Sequence, residues 1–322
     1  MKFFISVHIS NFLLLSSVSA FDSLIASENG IIEGSYIIKL KDSNRITLDS
    51  HLNSVRSLFK NRSGQNKINY IYNSLGNFYS AQLSNEVVAQ VRSLPEVSYV
   101  ENDSIVKVKS NEKTDTMSIS SIQPHAPWNL ARISQKVLLT DDYTYFGDGS
   151  GVSVYIADTG IYTSHPEFEG RAIFGAKFSS DPSNNDNHGQ GTFVAGIVGA
   201  KTYGVAKKAQ LIAVKVLDST GAGATSNVIA GINWVVKDKR GKRGNVINLS
   251  IGGSLSQALN SAVKSAHLNG VSIVTAVGNS NSDACNFSPG STPEAINVAA
   301  LNMNDSGSLS SNYGTCVDLY AP

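Results

Sequence analysis

Four short stretches of this chain carry residue types that could do chemistry. Asp158-Thr159-Gly160 follows directly on the apolar run Val152–Ala157. About 30 residues later comes Asp186-Asn187-His188-Gly189-Gln190-Gly191-Thr192-Phe193-Val194-Ala195-Gly196, a glycine-rich turn that enters a helical pattern. Asn248-Leu249-Ser250-Ile251-Gly252-Gly253 and Ala276-Val277-Gly278-Asn279 each close another apolar run. A carboxylate just past a strand lies where open α/β sheets gather reactive groups. The same Asp would also serve as a plain turn cap, and three residues do not decide between the two. Four such motifs at four strand ends, in this order, are far more specific than any one.

The elements that must hold these motifs follow from periodicity. Gly151–Ala157, Leu211–Val216, Val246–Leu249 and Val271–Val277 are nearly continuous apolar runs, as in a parallel sheet covered on both faces. Helical patterns lie near Thr192–Val198, Ala224–Val236 and Ser256–Leu268, and Gly270 suits a C-terminal cap. Together they predict an α/β domain: a wound parallel sheet with helices on both faces. Upstream, Ser35–Lys41 reads as a strand, and Leu48, Leu52, Val55, Leu58 and Phe59 recur at helical spacing. Asn69–Tyr72 and Phe78–Leu83 flank a Gly76-Asn77 turn, a helix opens at Ser84 and ends near Pro95, and Val97–Val100 and Ile105–Val108 are extended. That order predicts a small α/β sandwich of the split-βαβ type.

Composition bounds the function. The chain has 322 residues, 41% apolar and 16% charged, with a net charge of +1. This excludes a disordered polyelectrolyte and gives no electrostatic case for nucleic acid. Two cysteines cannot build a disulfide-dense scaffold or a four-thiolate zinc site. Met1-Lys2, an apolar stretch to Leu15 and Val18-Ser19-Ala20 have the form of a signal peptide over residues 1–20. No later run is long enough to span a bilayer, so a soluble protein of the secretory pathway is expected, outside the cell or in a vacuole-like lumen. There Cys285 and Cys316 could pair, the alternative being two free buried thiols. Asn61, Asn102, Asn286 and Asn304 begin glycosylation sequons, as does Asn248 inside an apolar run. Residues 31–110 form the expected small sandwich, the polar stretch 111–122 a linker, and 123–322 the larger domain.

With these motifs in place the chain resembles a subtilisin-family serine protease precursor of the proteinase K and cerevisin branch. Ala126–Ser134, His165–Arg171 and Lys201–Lys207 match that branch as well, and residues 31–110 resemble its inhibitory prodomain. The resemblance implies a secreted endopeptidase that hydrolyses peptide bonds, a monomer acting on polypeptides with its own prodomain as intramolecular inhibitor. It involves neither nucleic acid nor membrane. Asp158 matches the triad Asp, which orients and stabilises the imidazolium. Asn279 matches the oxyanion-hole Asn. Gly221, Ala222 and Gly223 match the strand that pairs with substrate backbone, and Ser250, Gly252 and Gly253 the segment beside the S1 pocket; backbone approach would explain the small residues, a tight turn being the alternative. A structural Ca²⁺ is implied at Asp318 with the carbonyls of Pro293 and Ala295; a plain surface Asp is the competing reading.

Two departures limit the transfer. Aligned on Gly191-Thr192 and Val194-Ala195-Gly196, the triad His falls on Gln190, whose amide cannot act as a general base. His188 lies two residues upstream, in a slot the family does not use. The family's Gly-Thr-Ser-Met-Ala segment normally follows the region of Asp318–Pro322, so the nucleophile is not among these residues. In subtilisin, losing the Ser or the His alone costs about 10⁶ in kcat. The expectation is a protease precursor by family that is inactive as written; the alternative is a non-catalytic pseudoprotease acting as a peptide-binding or regulatory module. The basic run Lys237–Arg243 reads as a solvated helix end favoured by the dipole.

Overall fold

The computed structural model describes residues 24–25, 30–42, 47–59, 66–107, 126–134, 136, 141–145 and 147–322. The leader, the polar linker and the Asn61 sequon lie outside the described residues. The smaller unit holds β1 (Leu24–Ile25), β2 (Ile31–Leu40), α1 (Leu48–Phe59), β3 (Lys67–Ile71), β4 (Phe78–Gln82), α2 (Asn85–Arg92) and β5 (Val97–Lys107). Its sheet runs β1-β5-β2-β4-β3, the antiparallel core of the split-βαβ order. Ser84 caps α2 by accepting the Val87 N–H at 3.4 Å, and the helix stops two residues short of Pro95. The two extended segments read between 97 and 108 are one unbroken strand up to Lys107. Its interior Glu101, Asn102 and Asp103 break the apolar pattern but not the strand, although the register against β2 shifts between Asn102 and Ser104.

Both faces of this small sheet are covered. Ile38, Leu40, Tyr79, Ala81 and Val100 pack on α1 and α2. The alternate residues Ile37, Tyr72 and Phe78 join the core of the larger unit. Because successive side chains on a strand point to opposite faces, one sheet serves two cores. At about 1.5–3 kcal/mol for each fully buried large apolar side chain, the second face leaves the small unit dependent on its neighbour.

The larger unit opens with α3 (Trp128–Ile133) and β6 (Val152–Asp158), then β7 (Ala172–Lys177), α4 (Gln190–Gly199), β8 (Gln210–Lys215), β9 (Ala222–Ala224) and α5 (Thr225–Asp238). It continues with β10 (Gly244–Leu249), β11 (Gly253–Ser254), α6 (Gln257–Leu268), β12 (Ser272–Ala276), β13 (Phe287–Ser288), β14 (Ile296–Ala300) and β15 (Leu319–Ala321). Seven parallel strands run in the order β15-β14-β12-β10-β6-β8-β7. Val154 and Ile156 of β6 face α4, while Tyr155 and Ala157 face the core shared with α5 and α6. That double burial explains the unbroken apolar runs in the sequence. Gly270, at φ 80°, ends α6 as its position suggested.

Candidate active site

The carboxyl end of β6 carries Asp158, fully buried and in register with Lys215 on β8. Its Oδ1 accepts the Thr159 N–H at 2.7 Å. Oδ2 is buried with no hydrogen-bond partner. Burial, helped by the negative charge of Asp186, pushes this carboxyl up to about 7, against the pull of the Thr159 N–H and of Lys215. Lys215 is itself fully buried, donating to the Thr159 carbonyl at 2.5 Å and lying 3.3 Å from Asp181 Oδ2.

Asp186 holds the following turn together. It accepts five hydrogen bonds, from Thr159 Oγ1, the N–H groups of His188 and Gly189, and both the N–H and Oγ1 of Thr192. Burial pushes its carboxyl up, but these donors outweigh burial and hold it below the usual range. Thr159 Oγ1 in turn accepts the Gly191 N–H at 3.0 Å, tying the end of β6 to the first turn of α4. The approach is close: a β-carbon on Gly191 would lie 2.0 Å from the Gly160 carbonyl oxygen. Gln190, the first residue of α4, is thereby held in place. It lines a cavity of ≈ 130 Å³ with Ser250, Ile251, Gly252, Ala276, Gly278 and Asn279. The amide of Gln190 does not reach the bare Asp158 oxygen. Neither does His188, which is exposed and lies over Gly221; a β-carbon there would sit 2.8 Å from its Nε2.

One side of this cavity leads into a groove that is filled. Strand β5 pairs antiparallel with β9: Ile105 with Ala224, Val106 with Gly223 and Lys107 with Ala222. On the other wall Lys107 bridges Gly252. Ala222–Ala224 on one side and Gly252 on the other thus flank the last three residues of β5, and a β-carbon on Gly253 would lie 3.3 Å from Val106 Cγ1. Two carboxylates of β5 reach beyond the groove to the N-termini of two helices. Asp103 accepts from the N–H and Oγ of Ser226 on α5 and from Ser35 Oγ. Glu101 accepts from Ser256 Oγ and the Ala258 N–H at α6. A negative charge at each helix start also meets the positive end of its dipole. Burial pushes both carboxyls up, and hydrogen bonds limit the rise.

The sequence matches the Subtilase family over residues 149–322 and Peptidase inhibitor I9 over residues 35–109. It is 43% identical over 297 residues to Subtilisin-like protease 1 of Pseudogymnoascus destructans, covering 91% of this chain and 72% of the relative. The chain belongs to the subtilase family. It is also 38% identical over 303 residues to Proteinase R of Parengyodontium album, covering 93% of this chain and 73% of that one. A crystal structure of a cold adapted subtilisin-like serine proteinase superposes with a TM-score of 0.59 at 44% identity. It covers 62% of this chain and 72% of that chain. The strand filling the groove of this subtilase is therefore the last strand of its I9 unit.

Cys285 and Cys316 form a disulfide, with Cα atoms 5.4 Å apart. The donor set expected for calcium passes a chemical test. Pairing of β14 with β15 brings Asp318 beside Asn297, two residues past Ala295, and Asp318 Oδ2 accepts the Asn297 N–H at 2.8 Å. A carboxylate and the carbonyls of Pro293 and Ala295 are hard oxygen donors of the kind calcium takes. Among the described residues no cluster of three or more His, Cys, Asp or Glu could hold a metal. None of their helices is long and apolar enough to cross a membrane.

Sequence reasoning missed Asp186 as the organiser of the turn, Lys215 beneath Asp158, and the two capping carboxylates of β5. Lys215 had a signal, a lone lysine inside the apolar run 211–216. Glu101 and Asp103 had one too, two acids inside an otherwise strand-like stretch.

Proposed function

We propose that this subtilase, as written, is a peptide-binding chain that does not hydrolyse: prodomain 31–110 plugs the groove of a peptidase-like domain 123–322. Asp158 and Asn279 keep the acid and amide-donor positions, and Gln190 takes that of the general base. Gly221, Ala222, Gly223, Ser250, Gly252 and Gly253 wall the peptide groove, which suits an extended polypeptide. The observation that carries the reading is the buried, partnerless Oδ2 of Asp158. In a working triad an imidazole N–H donates to the Asp, which then stabilises the imidazolium. A neutral amide offers no proton acceptor at neutral pH. Without a base the chain cannot cut itself free of its own prodomain, so the plug stays covalently attached.

Two supporting roles complete the proposal. The Cys285–Cys316 bond suits work outside the cytosol, in the extracellular space or an oxidising lumen. A calcium ion held by Asp318 and the carbonyls of Pro293 and Ala295 would tie β15 to the loop before β14, a structural role.

Intact-mass measurement of the purified 322-residue chain, together with a casein assay, tests this. One uncleaved species and no turnover are expected. A new N-terminus between residues 108 and 125, or casein turnover stopped by a fluorophosphonate, would restore the endopeptidase reading.

A further inference from the structure

Lys237-Asp238-Lys239-Arg240-Gly241-Lys242-Arg243 places five cations and one carboxylate in seven residues, on a chain whose net charge is only +1. The helix dipole accounts for Lys237, in the last turn of α5, but not for four cations beyond the helix end. Those four stand on a loop that is held rather than frayed. Tyr155 donates its O–H to Asp238 at 3.0 Å and accepts the Arg240 N–H at 2.9 Å. Gly241 N–H donates to Asn245 Oδ1 at 2.8 Å, and Arg243 N–H to the Gly151 carbonyl at 3.0 Å. Lys239 adopts φ 28°, a backbone conformation that costs a non-glycine residue about 1 kcal/mol or more. A β-carbon at 241 would fall 1.9 Å from the Gly244 carbonyl oxygen, so the tight turn needs its glycine.

The charge of this loop is largely uncompensated. Asp238 is engaged by Arg240, whose Nε lies 2.7 Å away. Lys237, Lys242 and Arg243 are exposed and, among the described residues, have no carboxylate within ion-pair distance. Lys208, also exposed, extends the rim: its N–H donates at 2.7 Å to the Asp148 carbonyl, in the loop that also receives Arg243. Its Nζ pairs with Glu169 Oε2 at 3.9 Å, which offsets part of its charge. The rim lies at the amino ends of β6 and β10, where Gly244 pairs with Val152. Asp158 is at the far end of β6, roughly 20 Å away at about 3.3 Å per residue.

We infer that the 237–243 loop, extended by Lys208, is an exosite for a polysaccharide carrying sulfate or phosphate esters. Each exposed cation contributes little alone, but a linear polyanion engages several at once and releases the counterions it had condensed. Single-stranded nucleic acid fits less well, and the duplex arm of the experiment below separates double-stranded DNA. The neighbouring ring of Trp234 lies under Arg240, 5.8 Å from its guanidinium carbon, and is not offered for base stacking. Lying far from the groove, the exosite would anchor the molecule with the plug in place.

The full chain is passed over immobilised dextran sulfate, phosphorylated mannan, neutral dextran and duplex DNA. Retention on the charged polysaccharides is expected, with log affinity falling against log salt at a slope of about −3. Exchanging Lys237→Gln, Lys239→Gln, Lys242→Gln and Arg243→Gln together should weaken binding about tenfold or more and flatten that slope. Retention on only one of the two polysaccharides still supports the exosite and names its ester. Lysine acetylation of the unaltered chain gives a readout independent of the variant's folding: bound dextran sulfate should protect Lys237, Lys239 and Lys242. No retention, equal retention on neutral dextran, tighter binding to DNA, protection confined to other lysines, or unchanged binding by a folded variant would each overturn the assignment.

Discussion

The carboxylates of β5 and the carboxylate at the end of β6 are all buried, yet they sit in opposite circumstances. Asp103 accepts four hydrogen bonds, from Ser35, Ser104 and both donors of Ser226, and Glu101 caps α6. Asp158 has one oxygen in use and one bare. All three carboxyls are pushed up by burial, but only for Asp158 is the rise large, to about 7. The same physics of desolvation is answered by donors where the two units dock and left partly unanswered at the end of β6. The groove, its plug and the caps that seat the plug are in place, while one oxygen of Asp158 has no hydrogen-bond partner among the described residues.

Four substitutions would break or sharpen that contrast, the largest effect first. Asp103→Ala leaves the start of α5 uncapped and strands buried hydroxyls, and should cost roughly 3 kcal/mol in guanidinium unfolding of the full chain. A loss below about 1 kcal/mol would mean the caps do not matter.

Asp158→Asn should stabilise, by roughly 1–3 kcal/mol at pH 8, because it removes a charge burial disfavours, a gain larger than the cost of leaving the two N–H donors of its NH2 without an acceptor. The sign follows from linkage. A carboxyl raised from 3.8 to about 7 makes the folded state bind more protons, so wild-type stability falls as pH rises through that window. The gain should therefore shrink steadily as the comparison moves from pH 8 to pH 4.

Gln190→His gives the bare oxygen a donor. About 1–2 kcal/mol of stabilisation is expected, with a lowered Asp158 titration and a far-downfield imidazole N–H proton in NMR spectra. An unchanged Asp158 titration would show that residue 190 does not face it. Smallest is Gly221→Ala, about 1 kcal/mol destabilising in thermal melts, since φ there is +74° and His188 occupies the space.

Much of this was legible in the sequence, for identifiable reasons. Strands buried on both faces lose the alternation of polar and apolar residues, so β6, β8, β10 and β12 stood out as continuous runs. Strand β7, with Gly175 and Lys177 and a half-exposed edge, gave no such signal, nor did the short β14 and β15. The motifs located Asp158 and Asn279 because each stands at or just past the end of an apolar strand, and Gln190 because a glycine-rich turn leads into the first turn of α4. What stayed hidden depends on distant chain segments. Glu101 meets Ser256 across 155 positions, and Asp103 meets Ser226 across 123, distances that no local pattern spans. Asp186 looked like one more polar turn residue until its five donors were in place.

Strand β5 is a member of the small sheet for most of its length and a lining of the groove for its last three residues. It works as a stiff bolt rather than a loose tail. Vacating the groove therefore means either bending a strand that two cores clamp or melting the sheet that carries it. An agent that frees the cleft must pull the whole lock apart, and occupancy of the cleft becomes a gauge of whether the small unit is folded.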